Sequence, residues 1–369
     1  MTRSLTRRHQ TTRRLCAVSC ALSLLGCARA AAPALVKAED AAEARIGECR
    51  DLRYEAREDA DAERAAFVRG ASGLAYFGDQ IAVVQDDTQF LGLVSRDGPV
   101  QSLTLPAGPE NRRRFEDELG NKHLKLDFEA LTSFTYQDSW LLVAFGSGSS
   151  APRESILVME RATASAPPTV RLFAARELYA MLRGAHRFCG GQLNVEGAAT
   201  SADELVLLQR GIPAPGAVPL NAALHLDLHA FVAWLRGRGS LPKPTQIRRY
   251  ELPHQGSLGY GFSGLTHIGG DRFVFTASSE DTPSALHDGP ILGSKIGLLA
   301  SGRAWTADLV DANGRPLAIK AEGVLSLPGR PDRFWIVLDS DDVKAPARLC
   351  EVHWPGLRTL GDNHHRHRE

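Results

Sequence analysis

Lys320-Ala321-Glu322-Gly323-Val324, followed by Phe334-Trp335-Ile336-Val337-Leu338 and Asp339-Ser340-Asp341-Asp342, is the clearest copy of a pattern that recurs along the chain. A small or acidic residue is followed by Gly or Ala and an apolar residue. A turn, a strongly apolar strand and a polar cluster come next. The other copies open at Ser72-Gly73-Leu74, Glu129-Ala130-Leu131, Glu196-Gly197-Ala198 and Ser263-Gly264-Leu265. Their polar clusters are Asp86-Asp87, Gly146 to Ser149, Gln209-Arg210 and Ser278 to Glu280.

The third residues of the triplets fall at 74, 131, 198, 265 and 324, between 57 and 67 residues apart. Self-similarity at a fixed period is the signature of a repeat architecture. Each unit holds further strand-like runs, such as Phe90 to Ser95 and Val100 to Leu105 in the first. After the fifth triplet only three strands remain, while an unassigned strand, Asp51 to Ala56, precedes the first. The expected fold is all-β: a single β-propeller of five blades, with six as the alternative, closed by an N-terminal strand in the last blade. A β-sandwich would also supply regular short strands, but not the fivefold triplet. Helices are expected only as insertions, over Arg176 to Leu182 and Leu228 to Leu235.

Closure brings Cys49 beside the strand carrying Cys350. Opposite residues of an antiparallel ladder stand about 4.5–5.5 Å apart at Cβ, close to bridging range. A Cys49–Cys350 disulfide is therefore expected, leaving Cys189 unpaired.

The N-terminus reads as an address. Residues 1–26 hold five arginines and no acid, and Leu15 to Leu25 form an apolar run too short to span a bilayer. Leu24-Leu25-Gly26-Cys27 resembles a bacterial lipobox, with Cys27 the lipidation site. Ala28-Arg29-Ala30 offers a rival cleavage site that would give a periplasmic or secreted protein. The expected layout is a signal peptide over 1–26, a lipidated tether over 27–47, the propeller over 48–356 and a disordered His/Arg-rich tail over 357–369. Basic and acidic residues number 43 each in the full chain, so loss of the leader leaves the mature part acidic. That balance argues against nucleic acid as a partner. The expectation is a monomer that meets the membrane only through its lipid anchor.

In such a fold, first-strand starts and second-strand ends share one face, because the strands are antiparallel. One acidic channel mouth should therefore gather the polar residues of the repeat. Hard cations are bound by oxygen-rich sets of this kind. Asp127, Glu129, Glu196, Glu322 and Asp339 are the candidate ligands for Ca2+ or Mg2+. The alternative is structural, with each acid capping backbone or pairing with a local base such as Lys125, Lys320 or Arg210. Asp86, Ser147, Arg153, Arg210, Ser263, Lys295 and Asp341 are the candidate ligand-binding residues. The partner would be a small anionic molecule, oriented by the basic members, or an envelope protein meeting the rim.

The triplets and Asp-rich clusters resemble the bacterial phytase-like or esterase-like propeller proteins. The resemblance rests on Asp127-Phe128-Glu129-Ala130-Leu131, Asn194-Val195-Glu196-Gly197-Ala198, Gly261-Phe262-Ser263-Gly264-Leu265, Lys320-Ala321-Glu322-Gly323-Val324 and Asp339-Ser340-Asp341. It implies an exported propeller, some relatives being calcium-dependent hydrolases of phosphate or carboxylic esters. Ser stands for Glu in two of five triplets, short of the carboxylates a multi-calcium phytase centre requires. Three functions remain open: an envelope lipoprotein binding a ligand or divalent cation, a metal-dependent ester or phosphoester hydrolase, and a sugar-acting enzyme with Glu196 and Glu322 as paired carboxylates.

Overall fold

The structure is a computed structural model; it describes residues 35–361, save 96–97, 164–165, 212–219 and 282–288. Among the described residues there are five four-stranded antiparallel units, and their first strands carry the five triplets. Unit I runs Ala71–Phe77, Gln80–Gln85, Phe90–Val94 and Val100–Thr104; unit II runs Phe128–Tyr136, Ser139–Gly146, Ser155–Arg161 and Thr169–Ala174. Unit III runs Val195–Thr200, Glu204–Gln209, Asn221–Asp227 and Gln246–Glu251. Unit IV runs Gly261–His267, Phe273–Glu280, Ile291–Ala300 and Arg303–Val310. Unit V takes Lys320–Leu327, Arg330–Asp339 and Arg348–His353 from the C-terminal part, and Ala44–Asp51 as its fourth strand. The fold is all-β and propeller-like. Its first strands pack side by side in the order I, II, III, IV, V, and that of V packs against that of I.

The small residue of the triplet is explained by this close approach. A Cβ on Gly264 would stand 2.5 Å from the Glu322 carbonyl, and one on Gly323 would stand 2.6 Å from the Leu74 nitrogen. The apolar strands that follow bury both faces between neighbouring units, as Val83, Val143, Leu207 and Phe275 do. Continuous apolar runs in place of strict alternation are the mark of such two-sided burial.

The lent strand is displaced from the stretch expected of it. It is Ala44–Asp51, which shares only Asp51 with the expected Asp51 to Ala56. The stretch expected to be a tether over 27–47 contains strands from Val36 onward. Val36–Lys37 pairs in parallel with the outer strand of unit III, and Glu39–Asp40 with the outer strand of unit IV. An Ala- and charge-rich composition concealed these contacts, which are made by backbone groups and by buried Ala44 and Ile46. The C-terminal boundary moves too, since Pro355–Thr359 forms a 3-10 turn with Leu357 buried. The insertion helices are Arg176–Gly184 and Leu228–Leu235, with a short His186–Cys189 turn after the first. Cys27 and the signal segment lie outside the described residues.

Cys350 stands directly opposite Cys49 in the ladder, and the two form a disulfide across 301 residues of sequence. Cys189 is a free, buried thiol. Closing a long loop restricts the unfolded chain, so Cys49→Ser with Cys350→Ser should cost about 2–4 kcal/mol, read as a lower urea midpoint for the double variant.

Candidate functional site

All five first strands break register at the triplet. The ladder jumps from Ala71 to Gly73, Phe128 to Ala130, Val195 to Gly197, Phe262 to Gly264 and Ala321 to Val324. The skipped residue is the Ser or Glu that opens each triplet, joined in unit V by Gly323. A bulge leaves that residue unpaired and re-aims its side chain, here away from the ladder and towards the neighbouring first strands. The recurrent Glu or Ser is therefore the bulge residue of its strand.

The two serines and three glutamates use this position differently. Ser72 Oγ donates to the Phe128 carbonyl at 2.5 Å, and Ser263 Oγ donates to the Ala321 carbonyl at 2.6 Å. Each hydroxyl thus clasps the next unit. Ser263 is fully buried away from the mouth, so its expected ligand role is not what the structure shows. The longer glutamates reach past the backbone into a cavity of about 110 Å³. Twelve carboxylates and four basic side chains line that cavity, an excess of acid that must be offset by protons or cations.

Three of the basic side chains each bridge two acids. Lys125 Nζ lies 2.6 Å from Asp86 Oδ2 and 2.7 Å from Asp127 Oδ1. Arg210 reaches Glu280 at 2.7 Å and Glu196 at 3.6 Å. Lys320 meets Glu322 at 2.7 Å and Asp341 at 4.0 Å. Local pairing therefore holds for Glu196 and Glu322, whereas the charges that act most on Glu129 are those of other acids. Burial, followed by Glu196, Asp127, Asp86 and Glu322, pushes the Glu129 pKa well above the usual carboxylate range. Burial also raises Glu322 and Glu196, against the pull of Lys320 and Arg210.

The second-strand ends complete the mouth. Burial and then Asp341 and Asp86 push Asp339 up to about 7, while burial and then Asp86 push Asp87 up to about 6. Burial acts on Asp127 in the same direction, but Lys125 and Arg153 outweigh it and hold the carboxyl below its ordinary value. Asp127 and Asp341 both adopt left-handed backbone, with φ of 57° and 54°. Non-glycine residues seldom do so outside constrained or functional places.

Asp86, Asp127, Glu129, Glu196, Arg210, Glu322, Asp339 and Asp341 are brought together as expected. Ser147 and Arg153 sit behind them, supporting rather than lining. Ser147 Oγ donates to Asp127 Oδ2 at 2.5 Å, and Arg153 Nη1 lies 2.8 Å from the same oxygen. Lys295 is elsewhere: it pairs with Asp308 across the two outer strands of unit IV and covers the Tyr260 ring. Sequence reasoning missed Arg69 and Glu116. Arg69, 2% exposed, reaches Asp87 at 2.7 Å and Glu116 at 2.8 Å. This pins the connection between units I and II against the mouth, to which it adds Phe115, Glu116, Asp117, Lys122 and Lys125. The only sequence signal for it was the length and charge of that connection.

The chain belongs to a family of unknown function, DUF6929, whose model matches residues 67–353. Among curated proteins none matches. Solved structures with a similar arrangement are propeller-like and distant in sequence. One is a β-1,3-galactosidase of glycoside hydrolase family 43, with TM-score 0.44 and 11% identity over 77% of this chain and 58% of that one. This chain thus spans little more than half the galactosidase. Another is an exo-1,5-α-L-arabinanase from a bovine ruminal metagenomic library, with TM-score 0.43 and 10% identity over 78% and 92% of the two chains. A third is a streptogramin B lyase, with TM-score 0.35 and 11% identity over 83% and 97%. The phytase-like and esterase-like character implied by the sequence resemblance is not what these comparisons carry.

Proposed function

We propose that this member of the DUF6929 family is an exported binding protein, a single five-bladed propeller that holds a hard divalent cation, Ca2+ or Mg2+, at its acidic mouth. The five units serve as blades, with Ala44–Asp51 closing the fifth. One observation carries the cation reading. Glu196 Oε2 and Glu322 Oε2 are buried carboxylate oxygens with no hydrogen-bond partner among the described residues, and Glu129 is surrounded by other acids. Buried carboxylate oxygens left without a donor are costly, and a cation removes the cost. Asp86, Asp127 and Glu129 each offer an oxygen within 4.8 Å of the others, and Glu196, Glu322 and Asp339 supply charge around them. A bound cation would offset part of the acidic excess and provide a charge on which an anionic group of a ligand could rest.

The test is thermal unfolding with added Ca2+ or Mg2+ after treatment with a chelator. Saturating cation should stabilise the protein by about 2.7 kcal/mol at a hundredfold excess over Kd, and Glu129→Gln should remove most of that shift. Equal shifts in the two proteins would refute the assignment. Export is read separately, from the mass of the mature N-terminus in bacterial membranes: an acylated Cys27 supports the lipoprotein, cleavage after Ala30 a soluble periplasmic or secreted form.

A second reading, metal-dependent hydrolysis of an ester or phosphoester, draws on Asp339. Its carboxyl is held at about 7, where it can both take and give a proton, beside a cation that would lower the pKa of a bound water. Activity in a phosphatase and esterase screen that requires Ca2+ and is lost in Asp339→Asn would establish it.

A further inference from the structure

Lys125 occupies the ground that a divalent cation would take. Asp86, Asp127 and Glu129 are the acids whose oxygens approach one another within 4.8 Å. The Lys125 ammonium already lies against two of them, at 2.6 and 2.7 Å. It also feels the attraction of Glu129.

Two observations set this apart from an ordinary buried ion pair. Asp127 is 2% exposed, and its Oδ1 meets the Lys125 ammonium at 2.7 Å. The other oxygen, Oδ2, is held firmly by Ser147 and Arg153. Oδ1 thus draws its compensating charge from the lysine alone, a place a cation can fill in the same way. The second observation is where the lysine is rooted. Arg210 and Lys320 stand at strand ends, whereas Lys125 follows the short turn Lys122–Leu124 in the connection that walls the mouth. Its head group lines the cavity, and its four-carbon stem gives it room to leave.

We propose that Lys125 is a tethered competitor: its ammonium fills the Asp86–Asp127–Glu129 locus until a divalent cation displaces it into the mouth. The proposal rests on the cation-binding reading above. It adds selectivity, because at equal distance a doubly charged ion gains twice the Coulomb attraction of an ammonium, whereas a monovalent ion gains no more than the lysine it would replace. It also gives the displaced lysine a role, since a freed ammonium beside a bound cation presents a second positive charge to an anionic ligand.

The experiment is a Ca2+ titration followed by calorimetry on wild type, Lys125→Met and Lys125→Arg. Lys125→Met should bind Ca2+ about tenfold or more tightly than wild type, and Lys125→Arg, which keeps the charge, no more tightly than wild type. Unchanged or weaker binding in Lys125→Met overturns the competitor proposal and leaves the cation site standing. Absence of binding in wild type overturns the cation reading and this inference with it. If Lys125→Met does not fold, acetylation of wild-type lysines followed by mass spectrometry decides the matter. Modification of Lys125 relative to Lys122 should increase when Ca2+ is added, and an unchanged ratio overturns the proposal.

Discussion

Without divalent cations, the protein should lose about 4 kcal/mol of unfolding free energy as the pH rises from 5 to 8. The carboxyls of Asp339 and Asp87 are raised to about 7 and about 6 in the fold, against about 3.9 in an unfolded chain. Their protons are held more tightly folded than unfolded. The stability they contribute is complete below the unfolded value and is lost as pH climbs through the folded one. Glu129, Glu196 and Glu322 are shifted the same way and add to the fall. Asp127 and Glu116 are shifted downward, so what they contribute is lost only on acidification, below this window. Urea unfolding in chelator at pH 5, 6, 7 and 8 measures the slope. Saturating Ca2+ should flatten it by replacing the protons with an ion. A stability that rises across the window without cation would mean the carboxylates are already balanced.

Lys125→Met should destabilise the cation-free protein by about 3–5 kcal/mol, because removing one member of a buried ionic set leaves the others uncompensated. Lys125 has a side chain 7% exposed and faces Asp127 at 3%. Arg303→Met provides the contrast. Arg303 pairs with Glu39 at 2.8 Å, but both side chains are about half exposed, and exposed pairs are worth about 0–1 kcal/mol. Urea midpoints of the two variants in chelator make the comparison. Comparable losses would show that Lys125 is solvated in solution and does not hold the mouth together.

The repeat was legible because it serves two local necessities at once. The small residue allows first strands to approach, as at Gly264 and Gly323, and the residue before it sits in the bulge. The sequence shows that such a position recurs, but not what length of side chain does there. Ser263 and Glu322 occupy equivalent places, yet the serine stops at the neighbouring carbonyl and only the glutamate reaches the mouth. The disulfide could be read because strand pairing alone sets Cys49 against Cys350. Lys295 was misplaced because charge was visible and strand position was not: it stands on a third strand, one removed from the ring. Arg69 and Glu116 were invisible for a related reason. Their contact joins residues 47 apart through a connection with no hydrophobic period. The N-terminal strap escaped because it is held by backbone pairing, which leaves little trace in a composition of Ala, Lys, Glu and Asp.

The account turns on whether the three unbridged or half-bridged glutamates hold a cation. Calorimetric titration of Ca2+ into chelator-stripped protein at pH 7.5, alongside Glu129→Gln combined with Glu322→Gln, asks this directly. Saturable binding to wild type is expected, and its loss in the double variant, whose fold should be at least as stable as wild type without cation. Binding of equal affinity in both proteins, or no binding to wild type, would contradict it.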